Sequence, residues 1–297
     1  MKLFSYLKLF LAIFGVLVLH QFVVLLYTIG VTVAYGIENA EAFNAGTITD
    51  EMLTEAVLLQ AANSLIFAGV VMIGFLWILN YSKRESFTFN YRFQPPPTMI
   101  QLFIAITIGF SAVFFSGFIV QGLAWVFPQA YTDYVAAFET LELGSPFSFF
   151  LAVVVMAPLF EEILFRGWVF DQIQRKLSVG LAVVLSGVLF GVYHLNIFQG
   201  TFASVLGIVL GLSLLWTNSI WIPITIHFVN NGLSWLLGLE AVAERVASIG
   251  VYFDIGSYFF AFILFPAAVF TLYTERSPFP LHHNRQSLDT ISIEETS

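Results

Sequence analysis

The chain has 297 residues, of which 59% are hydrophobic and only 10% are charged, and its formal net charge is −8. This composition is far more apolar than that of a soluble globular protein. The excess of acidic over basic residues argues against a nucleic-acid partner, and the lack of cysteine excludes thiol catalysis and zinc bound by cysteine.

Long apolar runs with few charges predict the membrane-spanning helices. About 20 apolar residues cross the roughly 30 Å of hydrocarbon in a bilayer, and dividing the runs by this length predicts about eight spans. Their expected ranges are 7–35, 56–80, 99–127, 147–170, 180–196, 201–217, 220–238 and 253–273. We therefore expect an all-α, polytopic integral membrane protein whose transmembrane domain covers residues 1–276, with the lipid bilayer as a partner.

The first apolar run follows Lys2 and Lys8, as the apolar part of a secretory signal peptide would. It is much longer than the about 7 to 15 apolar residues of such a signal. We therefore interpret it as a retained first span.

The basic residues fall in alternate connections between the predicted spans, with Arg245 as the exception. They are Lys2, Lys8, Lys83, Arg84, Arg92, Arg175, Lys176, Arg276 and Arg285. Cytoplasmic connections carry the excess of lysine and arginine, so both termini are expected in the cytoplasm, with the chain in a bacterial cytoplasmic membrane. The polar segment 277–297 has no apolar period to bury and is expected to be a disordered cytoplasmic tail.

The fourth predicted span contains Glu161, Glu162 and Arg166. Ionisable side chains in hydrocarbon are costly, so they need a partner or a function. Glu162 and Arg166 lie four residues apart on one helical face and can neutralise each other, whereas Glu161 points about 100° away. Glu161 is then left without a cationic partner and could serve as a general base. The alternative is that all three side chains reach the headgroups from the cytoplasmic end.

Later spans add His194 and the pair His227 and Asn231, which share one helical face. Estimated depths place Glu161, His194 and His227 in one layer, which we expect in the cytoplasmic half of the bundle. The first three spans are then scaffold. His20, in the first span, is interpreted as a hydrogen-bonded packing residue.

Three motifs follow one another in the chain, namely Glu161-Glu162-x-x-x-Arg166, Phe190-x-x-x-His194 and His227-x-x-x-Asn231. In this order they resemble the motifs of the CPBP intramembrane proteases, which include CAAX-processing prenyl-protein endopeptidases and bacterial proteins linked to bacteriocin self-immunity. The resemblance covers about residues 100–240. It implies hydrolysis of a peptide bond in a membrane-associated protein or peptide, with Glu161 and His194 activating water and His227 and Asn231 stabilising the oxyanion. Glu162 and Arg166 would orient the helix.

The role of a metal is left open by the motifs. Glu161, His194 and His227 could bind Zn²⁺ with a water in the fourth position, but the candidate ligands come from three separate helices, and Asn231 is a poor zinc ligand and a good oxyanion donor. We favour catalysis without a metal. Two other functions remain possible from the sequence: a transporter or proton relay that uses the intramembrane Glu, His and Arg side chains, and a non-catalytic immunity or scaffold protein.

Overall fold

The computed structural model describes residues 2–82 and 86–276, so Lys83, Arg84 and the predicted tail at 277–297 lie outside the described residues. All regular secondary structure in the described ranges is helical. Eight long helices occur in chain order: α1 Lys2–Glu38, α2 Ala61–Ser82, α3 Met99–Val126, α4 Pro146–Gln174, α5 Val179–Tyr193, α6 Ile197–Thr217, α7 Trp221–Gly238 and α8 Val251–Thr274.

These helices match the predicted spans in number and order, and the protein is a polytopic helical membrane protein. Within the described ranges, six of them are long and apolar enough to cross a membrane, namely α1, α2, α3, α4, α6 and α8. The other two are α5, which has only 15 residues, and α7. The count of eight spans is therefore not confirmed, because α5 is too short and α7 carries polar residues on its buried face.

Short helices lie between the long ones. At the end of the bundle that holds the acidic connections are Ala40–Asn44, Asp50–Leu58, Pro128–Glu142 and Glu240–Ile249, and at the opposite end is Phe87–Asn90. Side-chain caps fix where several long helices begin. The Thr98 hydroxyl accepts a hydrogen bond from the backbone of Gln101, whose side chain accepts one from the Thr98 backbone. Ser178 caps α5, and Asn196 caps α6.

The helix α4 changes its hydrogen-bond pattern on both sides of the two glutamates. Phe150–Met156 and Ile163–Val169 are π-helical, with each N–H bonded five residues back, and the α-helical turn Ala157–Glu162 lies between them. The Ala157 N–H bonds to the Ala152 carbonyl. The next bond of this pattern would join residue 158 to the Val153 carbonyl, but residue 158 is proline and has no N–H. The Val153 carbonyl is therefore available to another donor.

The helices α5 and α6 pack against each other through glycines. A Cβ atom at Gly191 would collide with the Gly200 carbonyl and with Ser204, and one at Gly187 would lie 2.7 Å from the Ile208 nitrogen. Small residues at such positions let two membrane helices approach closely. This contact fixes the end of α5, where His194 follows, against the start of α6.

Replacing Gly191 tests this contact, and Gly180 in the first turn of α5 provides the control because a Cβ there meets nothing within 4 Å. We expect Gly191→Ala to lower the stability of the folded protein by about 1 to 3 kcal/mol, because the new methyl group meets backbone atoms that cannot move independently. Gly180→Ala should leave the Tm in detergent unchanged or slightly raised. Equal Tm values for the two variants would contradict this packing.

Candidate active site

A buried ion pair lies at the centre of the site. The Arg166 guanidinium donates to Glu162 Oε1 at 3.0 Å, and both side chains are 0% exposed. The other end of the guanidinium donates to the Gly207 carbonyl of α6 at 3.0 Å, and its carbon lies 4.5 Å from the centre of the Phe190 ring. The pair predicted from the four-residue spacing is present, and it lies in the interior of the bundle and not at the headgroups.

The same carboxylate also orients His227. His227 Nδ1 lies 2.9 Å from Glu162 Oε1, and His227 Nε2 lies 3.7 Å from Glu161 Oε2. A carboxylate that is paired with an arginine can only accept hydrogen bonds, so His227 donates from Nδ1. Nε2 is the atom that remains to act in the site.

His194 is oriented by the backbone of its own helix. It caps the C-terminal end of α5, and its Nδ1 lies 2.8 Å from the Phe190 carbonyl oxygen. A carbonyl oxygen only accepts, so Nδ1 carries the proton, and in the neutral ring Nε2 is the atom with a free lone pair. This tautomer gives His194 a basic nitrogen for a water molecule or a substrate.

Asn231 is held by the carbonyl that Pro158 leaves available in α4. Its Nδ2 donates to the Val153 carbonyl at 2.9 Å, and its Oδ1 accepts from Asn230 Nδ2 at 3.2 Å. An amide nitrogen has two hydrogens, so one N–H of Asn231 remains for a ligand. Asn230, which the sequence argument missed, is only 4% exposed. Its spacing of three residues from His227 on the same helix is the signal that could have identified it.

The four side chains that the motifs single out face one cavity of about 330 Å³. Glu161, His194, His227 and Asn231 all line it. Glu162 and Arg166 lie behind this wall. Much of the remaining lining is apolar, including Met156, Phe160, Phe202 and Leu206, so the polar groups are concentrated in one part of a largely apolar space.

The first helices contribute more than scaffold. His20 of α1 and Gly69 of α2 also line the cavity, so the expectation that the first three spans only support the site was wrong. His20 is a hydrogen-bonded and packed residue, as expected, because its Nδ1 lies 2.6 Å from the Tyr193 hydroxyl and its ring stacks on Phe160. An apolar groove of about 470 Å³ between α1 and α5 shares Gln21 with the cavity.

The cavity lies toward the end of the bundle that holds the acidic connections. His194 follows the 15 residues of α5, which places it about 22 Å from the basic end of that helix, and the neighbouring Leu195 also lines the cavity. Phe198 of α6 packs on Tyr131 of the helix Pro128–Glu142. His227, six residues into α7, lies nearer the opposite, basic end. The placement of the site in the cytoplasmic half stays a prediction, which the cysteine-labelling experiment below tests.

Binding of zinc would require three ligand side chains that are close enough to hold one ion. Within residues 2–82 and 86–276, no three His, Asp or Glu side chains are grouped so that they could hold one metal ion. Glu161, His194 and His227 share the cavity but do not form a ligand set as they are placed.

The family comparison falls on the helices that form the site. Residues 143–233 match the family described as type II CAAX prenyl endopeptidase Rce1-like. This segment contains all three motifs. The similarity to this endopeptidase family is therefore limited to the part of the chain that carries the motifs. A Bacillus subtilis (strain 168) relative named "Putative membrane peptidase YdiL" is 28% identical to it over 88 residues. That match covers 30% of this chain and 36% of the relative, so it spans little more than a third of the relative's length. No solved structure matches the chain significantly.

The two adjacent glutamates should differ when each is replaced by glutamine. Glu162→Gln removes the charge that balances the fully buried Arg166, and an unpaired buried charge costs about 3 to 5 kcal/mol. Glu161→Gln changes a side chain in the cavity wall and should leave the Tm close to that of the parent. A thermal-shift assay in detergent measures both variants, and a stable Glu162→Gln beside an unstable Glu161→Gln would reverse their assigned roles.

Single cysteines can locate the cavity relative to the membrane, because the chain has no cysteine of its own. Leu195 is 82% exposed next to His194. A small membrane-impermeant thiol reagent should modify Leu195→Cys from the same side as Asp133→Cys, and Arg175→Cys from the opposite side. Modification of Leu195→Cys and Arg175→Cys from one side would contradict the position of the cavity.

Proposed function

We propose that this protein is an intramembrane endopeptidase that hydrolyses a peptide bond in its central cavity. The observation that supports this proposal best is the convergence of Glu161, His194, His227 and Asn231, from α4, the end of α5 and α7, on one largely apolar cavity. The similarity of residues 143–233 to Rce1-like endopeptidases supports the same class of reaction. In this proposal each of the four side chains has its own role.

Glu161 and His194 activate the water in this mechanism. The Glu161 carboxylate lies in the cavity wall, and His194 presents the lone pair of Nε2 because its Nδ1–H is bonded to the Phe190 carbonyl. The water oxygen forms a bond to the carbonyl carbon of the substrate while Glu161 accepts the water proton. The C–N bond then breaks, and the same proton passes to the leaving amine. These steps restore the Glu161 carboxylate and consume one water molecule.

His227 and Asn231 stabilise the negative charge on the carbonyl oxygen. Asn231 offers its second N–H, since the first is bonded to the Val153 carbonyl. His227 is held by the bond from its Nδ1–H to Glu162, and its Nε2, 3.7 Å from Glu161 Oε2, is the atom that stabilises the oxyanion when it carries a proton. Donors held in place before the reaction stabilise such charge without further reorganisation.

The substrate in this proposal is a membrane-associated protein or peptide. The cavity is enclosed by membrane helices, and the apolar groove between α1 and α5 adjoins it at Gln21 and Tyr193. A chain that is already in the bilayer can reach such a cavity without crossing an aqueous phase. The description of the matched family supports cleavage of the CAAX type as the finer assignment.

The proposal is tested by comparing membrane proteomes of cells that express the native chain and the Glu161→Gln variant at equal levels. Loss of the catalytic base should lower cleavage by about 10²-fold or more, so at least one cleaved membrane protein should disappear together with its new terminus. Asp133→Asn, in an exposed connection, is the control and should leave the product in place. Identical product patterns for the native chain and Glu161→Gln would favour a non-catalytic protein or a transporter.

A further inference from the structure

Helix α1 places a histidine in the cavity wall, outside the segment that matches the family. His20 is 5% exposed and lines the cavity. Its ring stacks on Phe160, with centres 4.9 Å apart and planes 13° apart. Phe160 directly precedes Glu161 in α4, so His20 contacts the backbone element that carries the proposed base.

The two ring nitrogens of His20 have different surroundings. Nδ1 lies 2.6 Å from the hydroxyl of Tyr193, the residue that directly precedes His194. This contact fixes the rotation of the imidazole, together with the stacking on Phe160. Nε2, on the other side of the ring, is the nitrogen that remains to bond with a molecule in the cavity. A histidine that only packed α1 against α5 would not need to line the cavity as well.

A peptide bound in this space has polar groups that must be paired. In an apolar environment each unpaired backbone N–H or C=O costs several kcal/mol. In the proposed mechanism, four side chains act on the water or on the carbonyl group of the peptide bond that is cleaved: Glu161, His194, His227 and Asn231. The peptide groups next to it therefore need partners elsewhere on the wall, and α1 supplies His20 there.

We propose that His20 is a substrate-binding residue, whose Nε2 forms a hydrogen bond with a backbone amide group of the substrate next to the bond that is cleaved. Tyr193 holds the ring in the orientation that this bond requires. The inference rests on the proposed function, and it extends the substrate site from the three motifs to the first helix. Its expected contribution is to substrate binding, because His20 takes no part in moving the proton.

Two substitutions separate the two nitrogens of His20. His20→Asn keeps a polar atom near the position of Nδ1, so the bond to Tyr193 can form, but it has nothing at the position of Nε2. His20→Gln places its amide near the position of Nε2. The probe is an internally quenched peptide with an apolar membrane anchor, in vesicles of phosphatidylethanolamine and phosphatidylglycerol. It is chosen from a peptide library as one that the native chain cleaves and Glu161→Gln does not.

We expect His20→Asn to raise KM about tenfold, the usual effect of losing one hydrogen bond, with kcat within about twofold and the Tm unchanged. His20→Gln should recover most of the loss in KM. An unchanged KM in His20→Asn, a loss confined to kcat, or an effect on Tm alone would overturn this inference and leave the proposed function standing. If the native chain cleaves no peptide of the library, the proposed function fails and the inference fails with it.

Discussion

The arrangement of the site depends on the carboxylate of Glu162. It is fully buried, and it accepts from Arg166 of its own helix and from His227 of α7. Arg166 in turn bonds to the Gly207 carbonyl of α6. The helices α4, α6 and α7 are therefore connected through one buried ion pair. A charge in so dry a position is tolerated only when it is paired and hydrogen-bonded, so the fold and the orientation of His227 are maintained by the same contacts.

Departures from regular helical structure provide the other supports of the site. The π-helical register of α4, together with Pro158, leaves the Val153 carbonyl for Asn231. The glycines of α5 and α6 bring these helices together where α5 ends at His194. Irregular hydrogen bonding within a membrane helix is costly unless a neighbouring group satisfies the freed atom. In α4 the satisfying group is one of the proposed catalytic side chains, which connects the local irregularity to function.

The sequence predicted the parts of this account that depend on spacing within one helix. The ion pair of Glu162 and Arg166 follows from a separation of four residues, and the eight helices follow from the apolar runs. Contacts between helices could not be predicted in this way. Three features bring together residues that are far apart in the chain. They are the bond from His227 to Glu162, the bond from Asn231 to the Val153 carbonyl, and the place of His20 in the cavity wall. The depth of the cavity within the bundle could not be predicted either, because it depends on helix lengths and packing that apolar runs do not define.

The central claim is that the cavity adds one water across a peptide bond. The most direct measurement is mass spectrometry of the two products after purified protein has cleaved the quenched peptide in water enriched in oxygen-18. The account predicts that the product with the new carboxyl end gains one heavy oxygen, that the two product masses sum to the peptide plus one water, and that Glu161→Gln forms neither product. A new carboxyl end that carries no heavy oxygen, or product masses that do not sum to the peptide plus one water, would contradict the account.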